Sequence, residues 1–149
     1  METNLYTPVN SNVSLSKDLL NLISLEALKC ERENGKILLI SFTLRNTKFD
    51  KGKLLQLLNN NFRIYDIISE YPNNIFNTFV VSYKPSPINF QIFLKRLHSI
   101  VNHLDIDKSN LVYTFKIYPY DGVNIGKLLE LNLKELLKLL SPKNSSSTL

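Results

Sequence analysis

Arg63-Ile64-Tyr65-Asp66-Ile67-Ile68-Ser69-Glu70-Tyr71-Pro72-Asn73-Asn74-Ile75-Phe76 reads as a strand, a tight turn and the start of a second strand. Ile64, Tyr65, Ile67 and Ile68 make the first run rich in β-formers. Phe76, Phe79, Val80 and Val81 do the same for the run from Ile75 to Tyr83. Between them, Pro72 suits the first corner of a turn, and Asn73 and Asn74 tolerate left-handed backbone, so the spacing predicts a hairpin.

Working outward, Pro85 and Pro87 end the second strand. A helix is then predicted from about Ile88, because Phe90, Phe93, Leu97, Ile100, Val101 and Leu104 form a stripe of 3.6-residue period. Leu111 to Tyr118 predicts another strand, Pro119-Tyr120-Asp121-Gly122 a turn, and residues 124–140 a leucine-rich helix stopped by Ser141-Pro142. Upstream, a helix from about Asp50 carries Leu54, Leu55, Leu57 and Leu58. Before it, Ile37-Leu38-Leu39-Ile40-Ser41-Phe42 is too short for a buried helix and predicts a central strand within Lys36 to Leu44. A first helix is capped by Ser14, lines up Leu15, Leu19, Leu22, Ile23, Ala27 and Cys30, and ends with Gly35 in the left-handed position. The expected order is α-β-α-β-β-α-β-α: an α+β domain over residues 14–140. Its β-α-β-β-α-β core is ferredoxin-like with an antiparallel sheet, plus an extra N-terminal and C-terminal helix. Residues 1–13 are expected to be extended and 141–149 a flexible tail.

Composition restricts the function classes. The 149 residues are 44% hydrophobic with 4 Gly and 6 Pro, enough for one sizeable core. No apolar run nears the ~20 residues of a membrane span, and Met1-Glu2-Thr3-Asn4 opens no secretory signal, so a cytoplasmic chain with no membrane contact is expected. Cys30 has no second cysteine to pair with, and with only His98 and His103 beside it no transition-metal site is expected. The net charge of +5 comes from scattered residues such as Lys48, Lys51, Lys53, Lys95, Arg96, Lys127, Lys134 and Lys138, a solubilising surface rather than a nucleic-acid patch. The tyrosines at 65, 71, 83, 113, 118 and 120 fit sheet packing better than a base-stacking platform. The last helix has more leucine than one buried face needs, which leaves both intramolecular burial and a homodimer or partner contact open.

Arg63-Ile64-Tyr65-Asp66 is an R-x-x-D placed five residues ahead of the Pro72-Asn73-Asn74-Ile75-Phe76 turn, with Tyr71 just before it. This resembles the GGDEF family of diguanylate cyclases, whose R-x-x-D precedes a Gly-Gly-Asp-Glu-Phe hairpin by the same interval. Asn4-Leu5-Tyr6-Thr7-Pro8-Val9-Asn10-Ser11 looks like a degenerate form of the family's D-x-L-T-G-L-x-N, and Tyr118-Pro119-Tyr120-Asp121-Gly122 with Leu128-Leu129 like its P-x-D-G … L-L segment. The resemblance spans roughly residues 4 to 140 and implies a palm-like nucleotide-cyclase fold.

The same resemblance implies that catalysis is lost. The family's glycines fall on Pro72 and Asn73, where side chains now stand. Its acidic pair falls on Asn74 and Ile75, and its strand-end metal ligand on Ser41, or Thr43 in a register shifted by two. None of these brings the carboxylates that a hard divalent cation and a phosphoryl transfer need. The expectation is therefore no enzyme and no cofactor. In the family the R-x-x-D is an inhibitory site for the cyclic dinucleotide product, so Arg63 and Asp66, with Arg96 as a third cation, are the expected binding residues for cyclic-di-GMP. Arginine offers a bidentate fork to phosphate or guanine. Two simpler readings stay open: Arg63 and Asp66 pair with each other or cap neighbouring elements, and the domain is a ligand-free protein-interaction or oligomerisation module.

Overall fold

The computed structural model describes residues 15–67 and 74–141. In chain order these form α1 (Lys17–Glu33), β1 (Lys36–Leu44), α2 (Lys51–Asn61), β2 (Arg63–Ile67), β3 (Phe76–Ser82), α3 (Phe90–His103), a 3₁₀ turn (Lys108–Asn110), β4 (Leu111–Tyr118) and α4 (Ile125–Leu140). The strands lie in the order β2-β3-β1-β4, and every neighbouring pair is antiparallel. The chain is thus α+β with a four-stranded antiparallel sheet and four helices, in the element order the pattern predicts.

The unbroken apolar run in β1 has a simple cause. Ile37 and Leu39 enter one core with α1 and α4, while Leu38, Ile40, Phe42 and Leu44 enter another with α2 and α3. A strand covered on both faces shows no two-residue alternation. None of these six side chains is more than 1% exposed, and at about 1.5–3 kcal/mol for each large apolar side chain buried, β1 anchors both layers. α2 joins β1 to β2 and α3 joins β3 to β4, so the two β-α-β units interleave and put both crossover helices on one face. α1 and α4 cover the other face and touch each other.

Helix ends follow local chemistry, with three departures from the sequence reading. α1 is capped by Ser16, not Ser14: the Ser16 hydroxyl accepts from Leu19 N–H at 3.0 Å, and this start puts Asp18 in the first turn, where a carboxylate suits the helix dipole. The left-handed residue at its C-terminal end is Asn34 (φ 57°), and Gly35 has no positive φ. Gly35 is needed for space, since a Cβ there would lie 2.1 Å from the Ser82 carbonyl oxygen. α2 starts at its Asp50 cap, and α3 begins at Phe90, two residues later than expected, because the Asn89 side chain accepts from Gln91 N–H.

β2 and β3 pair from Arg63↔Phe79 to Ile67↔Phe76, with a register irregularity between Ile64 and Asp66. The expected corner residues Pro72 and Asn73, the rest of the first strand to Tyr71, the segment 1–13 and the tail beyond Ser141 lie outside the described residues. The leucines of α4 mostly face inward: Leu128, Leu129, Leu133 and Leu136 are buried, while Leu131 and Leu139 are exposed. Among the described residues no helix is long and apolar enough to cross a membrane.

Candidate functional site

Arg63 opens β2, and its side chain turns toward α1. Its guanidinium sits 3.0 Å from Glu26 of α1 and donates to the Tyr65 hydroxyl at 3.4 Å and to Tyr83. The Tyr83 hydroxyl in turn donates to the other oxygen of Glu26. These four side chains form one cluster that straps α1 across the β2–β3 edge. Glu26 is the inner member with 14% of its side chain exposed, while Arg63 keeps 48%. Hydrogen bonding to Tyr65 and the Glu26 charge hold Arg63 more firmly protonated than usual, against the opposing pull of burial. The bond donated to Glu26 pushes the Tyr83 phenol above its ordinary value.

Asp66 does not pair with Arg63. Its carboxylate accepts from the Ile67 N–H at 2.9 Å and from the N–H of Ser16 at the start of α1. Partial burial outweighs these bonds and pushes its pKa above the ordinary value. Ser16 and Glu26 are ten residues apart, about 15 Å along a helix, so Arg63 and Asp66 meet α1 at separate points. Arg96 lies on α3, in the opposite helical layer, with its guanidinium 4.8 Å above the Phe93 ring. No hydrogen bond or ion pair joins it to Arg63 or Asp66 among the described residues.

Of the positions aligned with the resembled catalytic residues, Ser41, Thr43 and Ile75 are buried and Asn74 is partly exposed, while Pro72 and Asn73 lie outside the described residues. Ser41 is 0% exposed, donates to Asn77 Oδ1 at 2.8 Å and accepts from Asn132 Nδ2 at 3.0 Å. Asn132 also donates to the Thr114 carbonyl at 3.3 Å, and Thr114 Oγ1 donates back to the Asn132 carbonyl at 2.9 Å. The set joins β1, β3, β4 and α4 beneath the helix. Two of its atoms, Asn77 Nδ2 and Asn132 Oδ1, have no hydrogen-bond partner among the described residues. Thr43 donates to the carbonyl of Asn74, and Ile75 is buried in the core under α1 and α4. Among the described residues no group of three or more His, Cys, Asp or Glu side chains is arranged to hold a metal ion.

Sequence reasoning missed Glu26, Tyr83 and Ser16 as the partners of the R-x-x-D, because each lies far from it along the chain. Asn132 was findable: Leu129, Asn132, Leu133 and Leu136 follow an i, i+3, i+4, i+7 pattern, so a polar residue stands on the apolar stripe. A separate surface depression of about 520 Å³ is lined by Lys95, His98, Asn102, Asp107 and Lys108 among others. Asp107 there accepts from Ser109 N–H and so caps the 3₁₀ turn. No family model matches the chain, and neither a curated protein nor a solved structure matches it.

Proposed function

We propose that this chain is a non-catalytic interaction module of a bacterial signalling system, built on a ferredoxin-like core and related to GGDEF domains in degenerate form. The strand order β2-β3-β1-β4 with two interleaved β-α-β units supports the ferredoxin-like reading. One observation carries the non-catalytic reading. Ser41, which stands for the resembled metal ligand, is fully buried under α4 in a neutral network with Asn77 and Asn132. A nucleotide and its cation have no path to it without lifting α4, and no carboxylate waits there. The R-x-x-D then has a structural job, fastening α1 to the sheet edge through Glu26 and Ser16. A reducing cytoplasm suits Cys30, whose thiol is buried and pushed above its ordinary pKa mainly by that burial.

A second reading keeps Arg63 and Asp66 as a cyclic-di-GMP receptor site. It is favoured by the half-exposed guanidinium of Arg63, which a ligand phosphate could reach by displacing Glu26. Calorimetry of the full chain with cyclic-di-GMP separates the two. The interaction module gives no heat of binding. A binding isotherm that is abolished in Arg63→Ala and strengthened in Glu26→Gln would overturn that reading and establish the receptor.

A further inference from the structure

The two edges of the sheet are unlike. β2 spans five of the described residues, carries the register irregularity between Ile64 and Asp66, and is fastened to α1 by Arg63 and Asp66. β4 is eight residues long, regular in register with β1, and has one charged residue, Lys116. Long, regular, apolar edges are the ones that accept another strand.

Backbone hydrogen bonds show which groups of β4 point outward. Arg45 N–H donates to the Asn110 carbonyl at 2.8 Å, continuing the ladder with β1 and turning residues 110, 112, 114, 116 and 118 inward. Leu111, Tyr113, Phe115 and Ile117 therefore point out. This outer row is closed at Ile117, and at Leu111 the N–H is already taken. The Ile117 N–H donates to Asp121 Oδ2 at 2.7 Å, and its carbonyl accepts from Asp121 N–H at 2.7 Å. The Leu111 N–H donates to the Lys108 carbonyl. Between these closures the N–H and C=O of Tyr113 and of Phe115 have no partner among the described residues.

We propose that β4 pairs antiparallel with β4 of a second copy of this chain about a two-fold axis at Thr114, joining two four-stranded sheets into one of eight. In this register Tyr113 faces Phe115 of the second copy and exchanges both backbone hydrogen bonds with it, and the symmetric pair does the same. The N–H and C=O of Tyr113 and Phe115 on each edge are then all used, so this stretch of the edge is complementary to itself, as an isologous contact requires. Side chains agree. Phe115, 37% exposed and stacked on Phe90 at 3.8 Å, gains the facing tyrosine. Thr114 meets Thr114, and Lys116 faces Val112 instead of another lysine. Its charge is already matched by Glu135 at 2.7 Å, so no like charges oppose the pairing.

The pairing rests on the reading of the chain as an interaction module and names its partner. Sedimentation and light scattering of the full chain, without nucleotide, test it: the expected mass is near twice 17.2 kDa. Phe115→Pro removes one outward N–H and leaves the ladder with β1 intact, and should weaken dimerisation by roughly tenfold or more. A cysteine at Thr114 reads the register directly. Facing Cα atoms in such a non-hydrogen-bonded pair are about 4.5 Å apart, within disulfide range, so Thr114→Cys should crosslink under mild oxidation and Tyr120→Cys should not. A monomer at the highest soluble concentration overturns the pairing, as does a dimer that ignores Phe115→Pro or fails to crosslink through Thr114→Cys. Should Phe115→Pro not fold, the crosslink still decides. A monomer would leave a different partner for the module, whereas the dinucleotide titration alone would overturn the module reading.

Discussion

Gly35→Ala tests how the chain passes from α1 into the sheet. Gly35 has ordinary negative φ, so alanine fits its backbone conformation. The added Cβ would come 2.1 Å from the Ser82 carbonyl oxygen and 2.8 Å from Tyr83 Cα, where ordinary contact is 3.4–4 Å. Both obstacles are backbone at the end of β3, so no side chain can turn away. Relief requires the α1–β1 junction to shift by about 1 Å, against the Lys36↔Ser82 pairing and the buried Cys30 above it. Overpacking of this kind costs about 1–3 kcal/mol, and backbone obstacles put it at the upper end. At about 4 °C per kcal/mol for a chain of this length, the melting temperature should fall by about 8–12 °C. Gly52→Ala is the control. Its Cβ would meet only Asp50 Oδ1, at 3.5 Å, in the first turn of α2, and stabilisation by about 0.4–1 kcal/mol is expected. Thermal melts followed by circular dichroism compare the three proteins. A Gly35→Ala melt within about 2 °C of the parent, given a normal error of a few tenths of a kcal/mol in such contact-based costs, would refute the close approach of β3.

Leu133→Ala and Asn132→Ala, neighbours on α4, should part company in denaturant unfolding. The fully buried leucine should cost about 2–5 kcal/mol. The asparagine should cost less than about 1.5 kcal/mol, because losing its bonds to Ser41 and Thr114 is offset by removing an unpaired buried oxygen; equal losses would sink this account of the polar network. Asp66 should make stability depend on pH. Its folded pKa lies above the ordinary 3.8, so the folded chain holds the proton more tightly and stability falls as pH rises through the folded pKa. Asp66→Asn keeps an oxygen for Ser16 and Ile67 and should flatten that fall, gaining on the parent at neutral pH in unfolding midpoints measured from pH 3 to 7; a loss at neutral pH would contradict the burial assigned to this carboxylate.

The amino-acid sequence by itself determined the number, type and order of the elements. Each rests on information held within one segment: the 3.6-residue stripe of α3, the unbroken run of β1, the prolines after β3 and the Asp50 cap of α2. The central place of β1 was also legible, because only a strand covered on both faces can be apolar throughout. Tertiary structure alone decided what the functional candidates touch. Arg63 and Asp66 look like a pair in sequence because they are three residues apart, but their partners, Glu26 and Ser16, come from a helix more than thirty-five residues upstream. Ser41 looks like an altered surface ligand until α4, ninety-one positions on, closes over it with Asn132. Gly35 suggested a left-handed turn, and only the approach of Ser82 explains why it has no side chain. Periodicity and capping act over one to four residues, so sequence can express them. Which polar groups meet depends on how separate segments stack, and that is set when the two cores close around β1.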